Sequence, residues 1–139
     1  MAPAGARRQA RERALGLLYE AEVKGQRPGE LVAELPVSPD PYVLALLEGV
    51  ELHAAEIDRL LGEHAVGWQV ERMPAVDRNV LRMATYELIG EPGTPTAVVL
   101  SEAVELAKQY STEDSGRFVN GVLASLARLV RPVPSSAGG

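Results

Sequence analysis

The 139-residue sequence has no cysteine. That excludes a disulfide framework, a thiolate nucleophile and a cysteine-ligated zinc site, and it permits a reducing compartment. Histidine is nearly as scarce, with only His53 and His64. Eleven residues, or about three helical turns, separate them, too far along one helix to chelate a metal together. Long apolar runs are also missing. Nothing approaches the roughly 18 residues of a membrane span. The basic N-terminus leads only to Ala14-Leu15-Gly16-Leu17-Leu18-Tyr19, which Glu20 and Glu22 close before a secretory signal could form. A cytoplasmic protein is expected. The glycines of 90–95 lack the Lys-Ser/Thr of a phosphate loop, and no serine sits in a Gly-x-Ser-x-Gly elbow. The carboxylate pairs Glu20/Glu22, Glu102/Glu105 and Glu113/Asp114 are those of any solvated helical surface. With no catalytic constellation and no cofactor fingerprint, the expectation is a binding protein without cofactor or metal, and not an enzyme.

What is abundant is alanine, leucine and proline. Hydrophobic residues at 46% and charged ones at 24% are globular proportions, and the length fits one domain or two small halves sharing a core. Prolines stand at 3, 28, 36, 39, 41, 74, 92, 95, 132 and 134. Inside a helix each would cost about 3 kcal/mol, so helices lie between them. A first helix is predicted over 6–24, with Gly25 as its terminator, and a short one opens at Pro28. From 42 to 64, Val43, Leu46, Leu47, Val50, Ala54, Ile57, Leu60 and Leu61 step along one face of a single predicted helix. Two more cover 75–91 and 97–110. A last helix carries Phe118, Val119, Val122, Leu123, Leu126 and Val130, capped by Ser111, Asp114 or Ser115. Alanine and leucine supply 37 residues against six isoleucines and threonines. The fold class is therefore all-α, about six to seven helices, with an N-terminal half over 6–66, a C-terminal half over 74–131 and a flexible tail at 132–139.

The formal net charge of −5 argues at first against nucleic acid, yet the charge is segregated. Arg7, Arg8, Arg11 and Arg13 oppose only Glu12, so the first thirteen residues carry +3 and the rest −8. Basic residues at a helix N-terminus oppose the macrodipole, so helix stability does not account for them. Positions 7, 8 and 11 share a face on which guanidinium groups would fork onto phosphates or stack on bases; the alternative is a solvated helix start. Three or four phosphate contacts on single-stranded RNA would give a salt slope of roughly −2 to −3. A second candidate surface is Asp114-Ser115-Gly116-Arg117-Phe118-Val119-Asn120-Gly121. There the only phenylalanine either packs in the core or stacks on a base. Asn120-Gly121, poor helix formers inside a helix, call for a packing or recognition reason.

Four linked segments carry a resemblance. Arg7-Arg8-Gln9-Ala10-Arg11-Glu12-Arg13-Ala14 leading to Leu18-Tyr19, Val76-Asp77-Arg78-Asn79-Val80-Leu81-Arg82 with Tyr86-Glu87-Leu88, Glu102-Ala103-Val104-Glu105-Leu106-Ala107-Lys108, and Asp114-Ser115 with Phe118-Val119-Asn120-Gly121-Val122-Leu123 are similar in order and spacing to the bacterial transcription antitermination factor family NusB. The resemblance covers roughly residues 6–131.

It implies two small packed helical bundles and binding to boxA, as single-stranded RNA in nascent ribosomal transcripts, together with the ribosomal protein NusE. That complex joins the RNA polymerase elongation complex and suppresses premature termination. Arg7, Arg8 and Arg11 would contact RNA, with Asp114 and Phe118 at the far end of the same surface; Tyr19 and Asp77 would lie on the NusE side. Gln9 stands where many relatives carry a basic residue, which thins the arginine patch and gives the partner more weight. An acidic body suits a basic ribosomal protein. A homodimer through the arginine face would hide it. Two other readings stay open: a NusB-like helical domain serving a ribosomal RNA methyltransferase, and a protein-only adaptor bundle.

Overall fold

Proline opens helices here as well as separating them. A computed structural model describes residues 4–132, with seven α-helices and, among those residues, no strand. The helices are α1 (Ala4–Lys24), α2 (Pro28–Glu34), α3 (Pro41–Leu52), α4 (Ala54–His64), α5 (Ala75–Gly90), α6 (Thr96–Tyr110) and α7 (Glu113–Val130), with a 3-10 turn at Val70–Arg72 before α5. Pro28 and Pro41 take the first position of α2 and α3, where a missing N–H costs nothing. Pro74 and Pro95 are the N-caps of α5 and α6. Gly25 ends α1 with φ +67°, a left-handed conformation that glycine adopts without strain. The predicted tail, apart from Pro132, lies outside the described residues. No helix among the described residues is long and apolar enough to cross a membrane.

Two expectations need correction. The single helix over 42–64 is two helices, broken at His53 (φ −102°, ψ 19°), which ends α3 and starts α4. The apolar pattern runs through because Val50 and Ile57, both buried, are seven residues apart, close to two full turns. Ala54, counted on that face, is exposed. The cap of α7 is Thr112, whose Oγ1 accepts the Ser115 N–H at 3.1 Å. Ser115 lies inside the first turn, where its hydroxyl donates to buried Asp77 at 2.9 Å.

Helix α5 is buried on nearly every side. It packs against α1, α3 and α4 on one flank and α6 and α7 on another, which joins both halves of the chain in one apolar cluster. Leu61, Leu81, Leu123 and Leu126 have no accessible surface, and each contributes about 2 kcal/mol by burial. Tyr86 wedges between α3 and α5. A Cβ on either Gly49 or Gly90 would collide with its ring, so glycine is required there by close approach. Arg131 then fastens the far end of α5: its guanidinium donates to the carbonyls of Glu87, Leu88, Glu91 and Thr94 and to the Thr96 hydroxyl. These contacts fix both the last turn of α5 and the loop into α6.

Candidate nucleic-acid interface

The three arginines proposed for RNA meet different partners and differ in burial. Arg7 is exposed and lays its guanidinium over the Tyr42 ring on α3, 3.6 Å from the centroid. Arg8 reaches α6 and donates to both oxygens of Glu102, from Nε at 3.1 Å and Nη2 at 3.0 Å, while 61% of its side chain stays exposed. Glu102 raises the Arg8 pKa, through its hydrogen bond first and its charge second.

Arg11 turns inward. Its side chain is 4% exposed and bonds Glu87 of α5 from Nε at 2.9 and 3.1 Å and from Nη2 at 2.9 Å. Burial opposes the charge on Arg11, but the bond and charge of Glu87 outweigh it and hold the pKa above its ordinary value. The expected sharing of one open face by Arg7, Arg8 and Arg11 is therefore revised: Arg7 and Arg8 are presented to solvent and Arg11 is enclosed. The reason is a carboxylate on α5 that would be costly to bury without a cation. Arg13 is exposed.

Glu87 also accepts the Tyr42 hydroxyl at 2.7 Å. Burial, then the Glu87 bond, push the Tyr42 hydroxyl up to about 12, so it remains a neutral donor. The Tyr42 N–H is itself held by the Asp40 cap at 2.8 Å. Tyr42, Glu87 and Glu102 were not singled out as site residues from the sequence. Glu87 left a readable signal, being with Asp77 one of two acids on the apolar helix face of Val80, Ala84 and Leu88. Such a residue needs a buried cation from elsewhere in the chain.

Asp114 and Phe118 lie at the other end of α6, in the first turns of α7. Asp114 is 83% exposed and ion-paired with Arg117. Phe118 is neither fully core nor fully open: it packs partly against the apolar cluster and tilts against Trp68, centroids 5.8 Å apart at 56°. Trp68 is half exposed, as is Tyr110, whereas Tyr86 is core. A cavity of about 280 Å³ opens between Trp68, Phe118, Thr112 and Asp114, with Asp77 and Ser115 lining it.

Asp77, 4% exposed, accepts from Ser115 through one oxygen and has no partner on the other. Tyr19 faces a different depression, a mostly apolar groove with Glu12, Leu15, Gly16, Val76 and Tyr110. The structure thus brings Asp77 to Asp114 and Phe118 rather than to Tyr19. Asn120 and Gly121 are exposed, and nothing lies within 4 Å of where a Gly121 Cβ would be, so packing does not explain them. The histidines serve contacts of another kind. His53 stacks on Tyr86 with centroids at 6.0 Å, and His64 Nδ1 shares a hydrogen bond of 2.8 Å with the Ser125 hydroxyl.

Comparison with known proteins adds family relationships. The family model described as the NusB family matches residues 8–128. The transcription antitermination protein NusB of Acidothermus cellulolyticus is 50% identical over 125 residues, covering 87% of this chain and 86% of the relative. That of Salinispora arenicola is 46% identical over 129 residues, covering 88% and 95%. Among solved structures, T. maritima NusB aligns with a TM-score of 0.79 at 35% identity over 88% of this chain and 90% of that one. A crystal structure of the antitermination factors NusB and NusE in complex with double-stranded RNA aligns with a TM-score of 0.79 at 31% identity, over 91% and 99%.

Proposed function

The chain belongs to the NusB family, and from that premise and the interface geometry we propose that it is an RNA-binding transcription antitermination factor. It binds single-stranded boxA RNA of nascent ribosomal transcripts together with NusE, in the cytoplasm, and through that complex acts on the elongating RNA polymerase to suppress premature termination.

The observation that carries this reading is the pair of exposed guanidiniums of Arg7 and Arg8 on a fold that aligns with a NusB bound to NusE and RNA. Phosphate contact falls to Arg7 and Arg8, with Asp114 and Phe118 as candidate contacts at the end of α7. Arg11 serves as the internal strut that fixes α1 against α5. Tyr19 offers its groove to NusE, a basic partner suited to a body carrying −8 outside its first thirteen residues.

The relatives matched over 86% and 95% of their own length are transcription antitermination proteins, which favours the antitermination reading over a methyltransferase's helical domain. The protein-only adaptor differs in having no counterion-release slope. The deciding experiment titrates boxA RNA and a shuffled RNA with and without NusE at several salt concentrations. Tighter, salt-sensitive binding of boxA with NusE supports the reading; identical behaviour of the two RNAs sinks it. Sedimentation with and without RNA reads whether a homodimer hides the arginine face.

A further inference from the structure

Among the aromatic side chains, Tyr42 is the one pinned at both ends and covered by a side chain that can leave. Its backbone N–H is fixed by the Asp40 carboxylate at 2.8 Å and its hydroxyl by Glu87 at 2.7 Å. Glu87 is in turn held by Arg11, which donates to both of its carboxylate oxygens. One edge of the residue packs on the apolar cluster. The nearest group over the ring is Arg7, whose guanidinium sits 3.6 Å from the centroid on an exposed side chain near the start of α1; the buried Arg11 guanidinium is farther off at 5.9 Å.

We propose that Tyr42 is a nucleobase platform: one base of the bound RNA strand stacks on the Tyr42 ring in place of the Arg7 guanidinium, which swings out to the adjoining phosphate. This rests on the RNA-binding reading above and adds a contact residue to it.

The exchange is chemically balanced. Every base presents a π-face, so stacking on an anchored ring is favourable whatever the sequence. Arg7 leaves a cation–π contact at an exposed site, which is weak, for a charge-assisted bond to phosphate, which is stronger. Glu87 contributes without touching RNA. By holding the hydroxyl it stops the ring from turning when its cover departs, so it is a positioning residue, and Arg11 positions Glu87. The arrangement accounts for a buried ion pair beneath an arginine patch, which the charge pattern alone leaves unexplained.

The test uses the full chain with NusE and boxA RNA carrying 5-iodouridine at each uridine in turn. Irradiation cross-links that base to an aromatic ring stacked on it, and mass spectrometry maps the adduct. The expected result is a Tyr42 adduct at one position. Tyr42→Leu should weaken binding about ten-fold and leave the salt slope unchanged, because no phosphate contact is lost, whereas Arg7→Ala should lower the slope. Tyr42→Phe keeps the ring but loses the Glu87 anchor, so it should bind between the wild type and Tyr42→Leu and still give an adduct at position 42, which reads the platform even if Tyr42→Leu folds poorly. Adducts confined to Phe118 or Trp68, or Tyr42→Leu binding like the wild type, overturn the platform alone. If the wild-type chain with NusE fails to bind boxA at all, the RNA reading itself falls and takes the platform with it.

Discussion

Arg11 and Glu87 meet inside the protein as a three-bond ion pair joining α1 to α5, with side chains 4% and 2% exposed. Removing one partner leaves the other charged and enclosed, which costs about 3–5 kcal/mol, whereas replacing both with apolar residues of similar volume is often nearly neutral. Arg11→Ala and Glu87→Ala should each shift the urea midpoint sharply downward. The double variant Arg11→Met with Glu87→Leu should be more stable than either, less whatever the Tyr42 hydroxyl loses with its acceptor. A double variant that loses as much as the two single variants added together would mean that the pair is not coupled.

The exposed Arg8–Glu102 pair behaves differently, because it is screened by solvent and contributes little to folding. Its consequence is for RNA: a phosphate reaching Arg8 must displace Glu102. Glu102→Gln should therefore tighten boxA binding several-fold at low salt, with the gain fading as salt rises, and leave the melting temperature unchanged. Arg8→Ala should do the reverse. With Arg7 and Arg8 as the exposed pair and Arg11 enclosed, this chain's own share of the salt slope should be about −1.4 rather than −2 to −3. Electrophoretic mobility shifts over a salt series read all three.

The helices were largely legible, because Pro28, Pro41, Pro74 and Pro95 mark where four of them open and the apolar residues repeat at helical spacing. The break at His53 was not, since a seven-residue step from Val50 to Ile57 preserves the face whether or not the helix is continuous. The arginine cluster was legible as a cluster but not as an arrangement. Neighbours on one helix face diverge once their partners are fixed, and those partners, Tyr42, Glu87 and Glu102, lie on three other helices. A pattern within one helix reports which side chains point the same way; where a guanidinium ends depends on carboxylates brought close by the tertiary fold. Asp77 shows the same limit, joined by Ser115 to α7 rather than to the groove of Tyr19.

Two tyrosines tie the fold to alkaline pH. Tyr42 and Tyr86 both ionise near 12 instead of the ordinary 10, chiefly through burial and then through hydroxyl bonds to Glu87 and Glu91. Their folded-state values are raised above the unfolded ones. The stability they supply is therefore fully present below about pH 10 and lost as pH climbs from there through about 12. Absorbance titration at the tyrosinate band should show two late-ionising residues, and the urea midpoint should fall across the same interval. Tyr42→Phe should remove one late step; if both late steps persist, the assignment is wrong.

Glycine provides a contrast between contact and solvent. A methyl group at Gly49 would meet the Tyr86 ring, which is 9% exposed and has little room to retreat. Gly49→Ala should therefore destabilise the protein by about 1–3 kcal/mol, in the range of core overpacking. Gly121 lies on the exposed side of α7 with open space around it, so Gly121→Ala should stabilise by about 0.5–1 kcal/mol through helix propensity. Thermal melts decide both signs. If Gly121→Ala is more stable and also binds boxA more weakly, the Asn120-Gly121 step is kept for a ligand backbone that needs close approach. If stability rises and RNA binding is unchanged, recognition is no longer a reason for that glycine.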